Sequence, residues 1–170
     1  NAMDSAATVA GLLDGMAHLM RDLAHVLKAL PNAAYVASVA GQSSIGAHMR
    51  HVVEFIQVLG EHVDGGAVDY ETRKRNIIYE NDPEAVLDKL PQLQARLAQA
   101  LGQHGPDHPL LLRETATLGG EKLTISTSLG REILFILQHS VHHTAIMRLQ
   151  ASAMNIDLGS ECGVAVATRG

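Results

Sequence analysis

Two short segments of the chain hold half of its ten histidines. One segment contains His48 and His51, and the other contains His139, His142 and His143. Imidazole is the commonest protein ligand for divalent transition metals, so chemistry at a bound metal ion is the first hypothesis. If both segments are helical, their histidines project in ordered rows and two helices can share one ion.

Helical spacing selects a pair in the second segment. Residues four positions apart lie about 40° apart around the axis and one turn apart along it, so His139 and His143 can close on one ion. His142 points about 60° or more away and is the less favoured partner. A third imidazole has to come from the first segment, where His48 and His51 are both candidates. Neighbouring helices of a bundle lie roughly 8–10 Å apart, which is close enough for facing imidazoles to share a metal.

Several familiar catalytic motifs are excluded by particular residues. A zincin needs glutamate directly after the first histidine, where this chain has Ser140. Di-iron bundles need glutamate three residues before a histidine, which neither segment provides. No nucleophile-elbow motif is present, and Cys162 lies in the tail without an identifiable partner. A mononuclear site with three histidines and open positions is left, which is typical of a catalytic metal. The alternative is that the His-x-x-x-His pair arose by chance and binds nothing.

Four amphipathic helices are predicted from apolar residues that recur at intervals of three and four. They cover residues 6–30, residues 44–62, residues 82–102 and residues 128–154. Pro31 stops the first helix, and either Ser43 or Ser44 caps the second. Asp82 caps the third helix, which Pro91 either kinks or divides in two. Four helices with one long crossover predict an all-α four-helix bundle.

A short β-hairpin is predicted just before the last helix. Residues 110–117 and residues 122–126 form its two strands, with paired glycines between them. The polar stretch of residues 68–81 is predicted to be a loop or an irregular helical turn. The bundle is predicted to span residues 3–156, and residues 157–170 are predicted to form an irregular tail.

Composition excludes several classes of function. The 170 residues include 13 basic and 18 acidic side chains, so the formal net charge of −5 leaves no electrostatic footprint for nucleic acid. No apolar run is long enough to span a bilayer, and the start of the chain lacks the layout of a signal peptide. The single cysteine fits a reducing compartment. We therefore expect a soluble cytoplasmic protein that binds neither nucleic acid nor membrane.

The two histidine segments together resemble the signatures of the DinB-like (DinB/YfiT) superfamily of metal-dependent enzymes. Ser44, Ile45 and Gly46, followed by His51, are similar to the helix-two signature of that family. The run from His139 to His143, followed by threonine and alanine, is similar to its C-terminal signature. The resemblance extends over residues 9–154. It implies a four-helix bundle that is often dimeric and that carries nickel, zinc or a similar divalent ion.

The resemblance also implies the ligand set and the chemistry. The ligands would be His51, His139 and His143, with His48 and His142 next to them rather than on the metal. Characterised members of the family include transferases and isomerases that use mycothiol or bacillithiol. A low-molecular-weight thiol is therefore an expected second cofactor, and the substrate is expected to be a small molecule.

A second set of residues is similar to a subgroup of the same family. It comprises residues 68–75 together with Glu80, and the resemblance implies that Tyr70, Arg73, Arg75 and Glu80 line the pocket mouth and bind an anionic substrate. The alternative for these residues is a solvated loop. The tail of this chain lacks the aromatic residue and the proline that the subgroup has.

Two glutamates are candidates for catalytic roles next to the metal. Glu54 lies three residues after His51, and Glu132 lies seven residues before His139, so either could orient a ligand or accept a proton. Three neutral imidazoles leave a divalent ion its full charge, which can lower the pKa of bound water to about 7. The resulting hypothesis is a metal-dependent transferase, isomerase or hydrolase. The alternatives are a non-catalytic metal-binding or metal-sensing helical dimer, and a bundle that binds no metal.

Overall fold

The structure is a computed structural model, and it describes residues 2–169. Its four long helices are α1 (Ala2–Ala29), α3 (Ile45–His62), α5 (Pro83–His104) and α6 (Leu129–Ala153), and its two short helices are α2 (Asn32–Val36) and α4 (Ile77–Asn81). Helix α1 packs against α5 and α6, and α3 packs against the same two helices. The predicted helical bundle with a hairpin before the last helix is confirmed.

Capping side chains start helices α3 and α5 close to the predicted residues. The Ser44 hydroxyl accepts a hydrogen bond from the Ala47 amide at 3.0 Å, so Ser44 rather than Ser43 caps α3. The Asp82 carboxylate accepts one from the Glu84 amide at 3.0 Å and begins α5. Pro91 lies inside α5, which continues through it to its last turn, so the proline does not divide the helix.

A three-stranded sheet lies beside the bundle. Its strands are β1 (Ala67–Val68), β2 (Pro109–Thr115) and β3 (Lys122–Ser128), in the spatial order β1-β2-β3. Strands β2 and β3 form the predicted antiparallel hairpin, and β1 joins the other edge of β2 in parallel. Strand β1 was not predicted, because two residues are too few to show an alternating pattern. The remainder of residues 68–81 forms a 3-10 turn at Tyr70–Thr72 and then α4.

The core is aliphatic and lies between the four long helices. It includes Met16, Leu23, Ile45, Met49, Ile56, Leu59, Leu97, Leu101 and Ile133, all of which are almost fully buried. Burial of this kind contributes roughly 1.5–3 kcal/mol for each large side chain, which holds α3 and α6 in a fixed register. The histidine segments are on these two helices. No helix within residues 2–169 has both the length and the apolar character that a membrane span requires.

The C-terminal segment packs onto the bundle, although within residues 157–169 its one helical element is the short 3-10 turn Val166–Thr168. Leu158 and Cys162 are buried. Gly163 has φ +73° and lies against the backbone of Ala145, where a Cβ atom would come within 2.4 Å of the amide nitrogen. Gly170, the last residue of the predicted tail, is outside the described residues. The division of the chain at residue 156 stays a prediction.

Candidate metal centre

The packing of α3 against α6 brings three histidines together. His51 projects from the middle of α3, and His139 and His143 project from successive turns of α6. One ring nitrogen of each histidine lies within 4.8 Å of those of the other two. All three side chains are half-buried. The structure therefore places side by side the three histidines that the resemblance implied as ligands.

Direct contacts between ring nitrogens hold the cluster together. Nε2 of His51 lies 2.9 Å from Nε2 of His139, and Nδ1 of His48 lies 2.9 Å from Nδ1 of His143. A hydrogen bond between two ring nitrogens requires one of them to offer a lone pair, so at least one ring of each pair is neutral. His142 is exposed and reaches only the edge of the His143 ring, with the ring centroids 5.3 Å apart.

The surroundings keep these imidazoles neutral at physiological pH. Burial, assisted by the positive charge of Arg73, lowers the pKa of His51 to about 4. Burial and the neighbouring His51 lower the pKa of His143 to about 3. Burial also lowers the pKa of His139. Metal binding requires neutral imidazole, and three converging neutral nitrogens are a donor set that fits a divalent transition ion.

Aromatic rings pack against two of the histidines, His51 and His139. The Phe55 ring lies 4.6 Å from that of His51 and 4.8 Å from that of His139, measured between centroids. Phe135 stacks on His139 with centroids 5.4 Å apart. Tyr70 stacks on Phe55 with the ring centroids 4.7 Å apart. These rings form an apolar wall beside the histidines, and electrostatic interactions next to such a wall are stronger than in water. Neither phenylalanine was predicted as a site residue. The one signal in the sequence was that each lies about one helical turn from a histidine, Phe55 from His51 and Phe135 from His139.

The guanidinium group of Arg73 lies against this wall. Its guanidinium carbon lies 4.8 Å from the centroid of the Phe55 ring, and its Nη1 donates to the Tyr70 carbonyl at 2.7 Å. Nε of Arg73 is 3.9 Å from a carboxylate oxygen of Glu54 and is buried without a hydrogen-bond partner among the described residues. Arg73 therefore has an unused donor and a charge that Glu54 only partly balances.

The two glutamates predicted to be catalytic are bound to other groups. Glu132 accepts hydrogen bonds from the Tyr70 hydroxyl at 2.8 Å and from the Thr127 hydroxyl at 2.7 Å. Glu54 accepts one from the Asn76 amide at 2.5 Å. Within residues 2–169, no hydrogen bond joins either carboxylate to the histidine cluster. Both instead fix the segment around Tyr70–Asn76 in place, and their catalytic roles stay predictions.

The other predicted substrate-binding residues lie at different depths. Tyr70 is buried, and burial together with Glu132 raises the pKa of its hydroxyl. Arg75 is exposed and has a left-handed backbone, with φ +51°. Glu80 forms an ion pair of 2.7 Å with Arg50, which lies between the two histidines of the first segment and was not predicted.

Gly46 explains how Glu80 comes so close to α3. A Cβ atom at this position would lie 2.0 Å from the Glu80 carbonyl oxygen and 2.8 Å from the Tyr35 ring. Only glycine allows the end of α4 to approach the first turn of α3 so closely. This close contact accounts for the glycine in the segment that resembles the helix-two signature.

A separate cleft lies on the opposite face of α6. It has a volume of about 390 Å³ and is lined mainly by apolar groups, including Gly15, Leu137, Val141 and Val166. At 100° per residue, the α6 residues of this cleft face away from His139 and His143. Among the described residues, the only group of three potential metal ligands is the histidine cluster, so the two sites are chemically distinct.

Comparison with known proteins places the chain in a family. A family model described as the DinB superfamily matches residues 17–147, a range that contains both histidine segments. A protein named FK506-binding protein 5, from Rhizopus delemar, is 26% identical over 102 residues, which are 59% of this chain and 26% of that protein. The chain thus spans about a quarter of the length of that relative. No solved structure gave a match. Because the family model covers well over half of the sequence, the chain belongs to the DinB superfamily.

Proposed function

We propose that this protein is a metal-dependent enzyme that binds one divalent transition ion, zinc or nickel, through His51, His139 and His143. The observation that carries the proposal is the convergence of one nitrogen from each side chain within 4.8 Å. The lowered pKa values of the three rings support it, because they keep the lone pairs available at neutral pH. Membership of the DinB superfamily supports the same kind of site.

The chemistry of such a site follows from its donor set. When bound, an ion with three neutral ligands can lower the pKa of a coordinated water or thiol towards neutrality. The protein contributes the geometry: His48 holds His143 through its Nδ1 atom, and Phe55 and Phe135 pack against His139. We propose transfer, isomerisation or hydrolysis of a small molecule, with a low-molecular-weight thiol as a second cofactor. Such thiols are abundant in the cytoplasm, where we propose that the protein works.

The charges beside the cluster favour an anionic substrate. Arg50 is neutralised by Glu80 at 2.7 Å, whereas the closest approach of Arg73 to Glu54 is 3.9 Å. The charge of Arg73 is therefore less neutralised than that of Arg50. In this proposal Arg73 attracts the carboxylate or phosphate group of the substrate. Arg75, which is exposed, steers the same anion from solvent.

Three other predicted residues act by positioning in this proposal. Tyr70 and Glu132 hold the segment that carries Arg73, and Glu80 holds Arg50. Glu54 would have to leave the Asn76 amide before it could accept a proton. A catalytic role of Glu54 therefore includes a movement of this segment.

Reconstitution with metal tests the proposed function. Metal-free protein would be loaded with one equivalent of zinc or nickel and assayed for adduct formation between several thiols and a panel of anionic electrophiles. We expect turnover that a chelator removes and one of the two ions restores. The Arg73→Ala variant should raise KM for anionic substrates more than it lowers kcat. Stoichiometric metal binding with no turnover for any thiol or substrate would instead favour the metal-sensing alternative.

A further inference from the structure

The cleft on the face of α6 that points away from the histidines has the volume of a small-molecule site. Its walls come from α1, α6 and the C-terminal segment, and its volume is about 390 Å³. Ligand pockets in proteins have volumes of roughly 300–1,000 Å³ and mainly apolar walls with a few polar groups. Leu19, Leu137 and Val141 line this cleft with side chains that are buried or half-buried. We call it the α1–α6 cleft.

The α1–α6 cleft is long and narrow. Its lining extends from Gly11 to Asp22 on α1 and from Leu134 to Thr144 on α6. At a rise of about 1.5 Å per residue, each of these stretches is about 15 Å long. A volume of 390 Å³ spread over that length leaves a mean cross-section of roughly 25 Å². A helix with its side chains is about 10–12 Å wide. The cleft therefore fits a single slender chain and is too narrow to take up a helix of another protein.

The basic group of the cleft is already bound to the protein. Among the described residues that line the cleft, Arg169 is the one arginine or lysine. Its guanidinium group pairs with the Asp22 carboxylate, and its Nε donates to the Val164 carbonyl at 3.0 Å. The hydroxyl of Thr144 likewise donates to the Ser140 carbonyl at 2.9 Å. An anionic ligand would therefore have to displace an existing ion pair.

Asp14 is the charged group of the cleft that is left unbalanced. Within residues 2–169 its carboxylate has no arginine or lysine partner, and its ionic neighbour is His18, with Nε2 3.6 Å from Oδ2. The Asp14 side chain is 69% exposed, at the rim of the cleft. A cation placed there balances its charge, whereas a second carboxylate is repelled. Because solvent screens an exposed charge, Asp14 selects the class of ligand and the apolar walls supply most of the affinity.

We propose that the α1–α6 cleft binds a linear aliphatic amine, with the alkyl chain along Leu137 and Val141 and the ammonium group at Asp14. The narrow cross-section favours an unbranched chain, the apolar walls favour methylene groups, and the unbalanced carboxylate favours a cation. Each further methylene group that the walls bury tightens binding about fourfold. The α6 residues of the cleft face away from His139 and His143, so this proposal is independent of the proposed metal-dependent function.

A titration series with different head groups tests the class of ligand. The amide resonances of the full-length protein would be followed by NMR at pH 7 as octylamine, 1-octanol, octanoate or butylamine is added. We expect octylamine to bind about threefold more tightly than 1-octanol, and octanoate to bind most weakly. Butylamine should bind at least tenfold more weakly than octylamine. Asp14→Asn should remove the preference for the amine over the alcohol. Equal affinities for the three octyl compounds, tightest binding of octanoate, or no saturable shifts with 3 mM octylamine would overturn the proposal.

Two glycine variants test the location of the ligand. A Cβ atom at Gly11 or at Gly102 would meet no atom within 4 Å, so a larger side chain fits at either position. Leucine is a better helix former than glycine, so both variants should be at least as stable as the unmodified protein in thermal unfolding. Gly11 lines the cleft, whereas Gly102 lies on α5. Gly11→Leu fills part of the cleft and should weaken octylamine binding at least tenfold, and Gly102→Leu should change it less than twofold. Equal affinities of the two variants would overturn the assignment of the amine to this cleft.

Discussion

The histidine cluster and the two buried glutamates are neighbours around the same aromatic wall, but they differ in their partners. Glu132 accepts two hydrogen bonds from protein hydroxyls, and Glu54 accepts one from a backbone amide. The ring nitrogens of His51 and His139 contact each other. A carboxylate whose partners are fixed protein groups stabilises the fold. Imidazoles that contact mainly one another remain available for an ion. Burial of an ionisable group is therefore a weaker sign of function than the identity of its partners.

Among the substitutions that test this comparison, removal of a proposed metal ligand should have the largest effect, a loss of metal affinity. We expect His143→Ala to weaken metal binding at least a hundredfold, because two imidazoles alone hold a divalent ion poorly. Isothermal titration of metal-free protein with zinc measures the change. His142→Ala is the control, since that side chain is exposed on the same turn. Equal losses in both variants would contradict the assignment of His143.

A smaller loss of affinity is expected when His48 is removed. Its ring nitrogen lies 2.9 Å from that of His143 and so orients the proposed ligand without needing to bind the ion. Loss of such an orienting partner typically reduces metal affinity roughly 10–100-fold. The same titration of His48→Ala should show one site of reduced affinity. A complete loss of binding would place His48 itself among the ligands.

Removing a glutamate should affect the fold and not the metal. Glu132→Ala leaves the Tyr70 and Thr127 hydroxyls without their acceptor, and we expect the free energy of unfolding to fall by about 2–3 kcal/mol. Urea denaturation measures this loss, and elemental analysis should still find one ion per chain. If metal were lost while stability stayed unchanged, the carboxylate would belong to the metal site.

The pH dependence of the free energy of unfolding tests whether the folded protein keeps the buried histidines neutral. The pKa values of His51 and His143 are lowered in the folded protein to about 4 and about 3, from the ordinary value of 6.5. Below pH 6.5 the unfolded chain therefore binds more protons at these rings than the folded chain does. The free energy of unfolding of metal-free protein should accordingly fall as the pH drops from 6.5 to 4.

The matched control for this pH dependence is a variant with both His51→Gln and His143→Gln. Urea denaturation at several pH values should give a shallower slope for this variant over the same interval. Identical slopes for the two proteins would show that these imidazoles are not held in their neutral form.

The smallest expected effect concerns the hydroxyl of Tyr70. Tyr70→Phe keeps the stack on Phe55 but removes one hydrogen bond to Glu132, which should cost about 1 kcal/mol in urea denaturation. Metal affinity should stay within about twofold, because the hydroxyl is bound to the carboxylate and not to a histidine. A larger change in affinity than in stability would link Tyr70 to the ion.

Periodic patterns explain what could be predicted from the sequence. The long helices, the hairpin and the pairing of His139 with His143 all follow from local spacing, which the structure keeps. Spacing alone did not distinguish His48 from His51, because that choice depends on how α3 is rotated against α6. The structure brings His51 to the other two histidines and places His48 against His143.

Long-range contacts explain what could not be predicted. Strand β1 exists because Ala67 and Val68 meet Leu111 and Leu112, more than forty positions later in the chain. Tyr70, which donates a hydrogen bond to Glu132, lies 62 positions earlier in the chain, so no local pattern relates the two residues. The packing of Cys162 onto the bundle depends on Gly163 fitting against α6. Each of these features arises from tertiary packing and leaves no periodic signal.

Anomalous X-ray scattering from crystals of metal-loaded protein tests the central claim most directly. Data collected on both sides of the zinc or nickel absorption edge locate the ion without assumptions about its ligands. We predict one strong anomalous peak per chain, about 2.0–2.1 Å from a ring nitrogen of each of His51, His139 and His143. A peak at any other position, or no peak in protein loaded with one equivalent of either ion, would contradict the account.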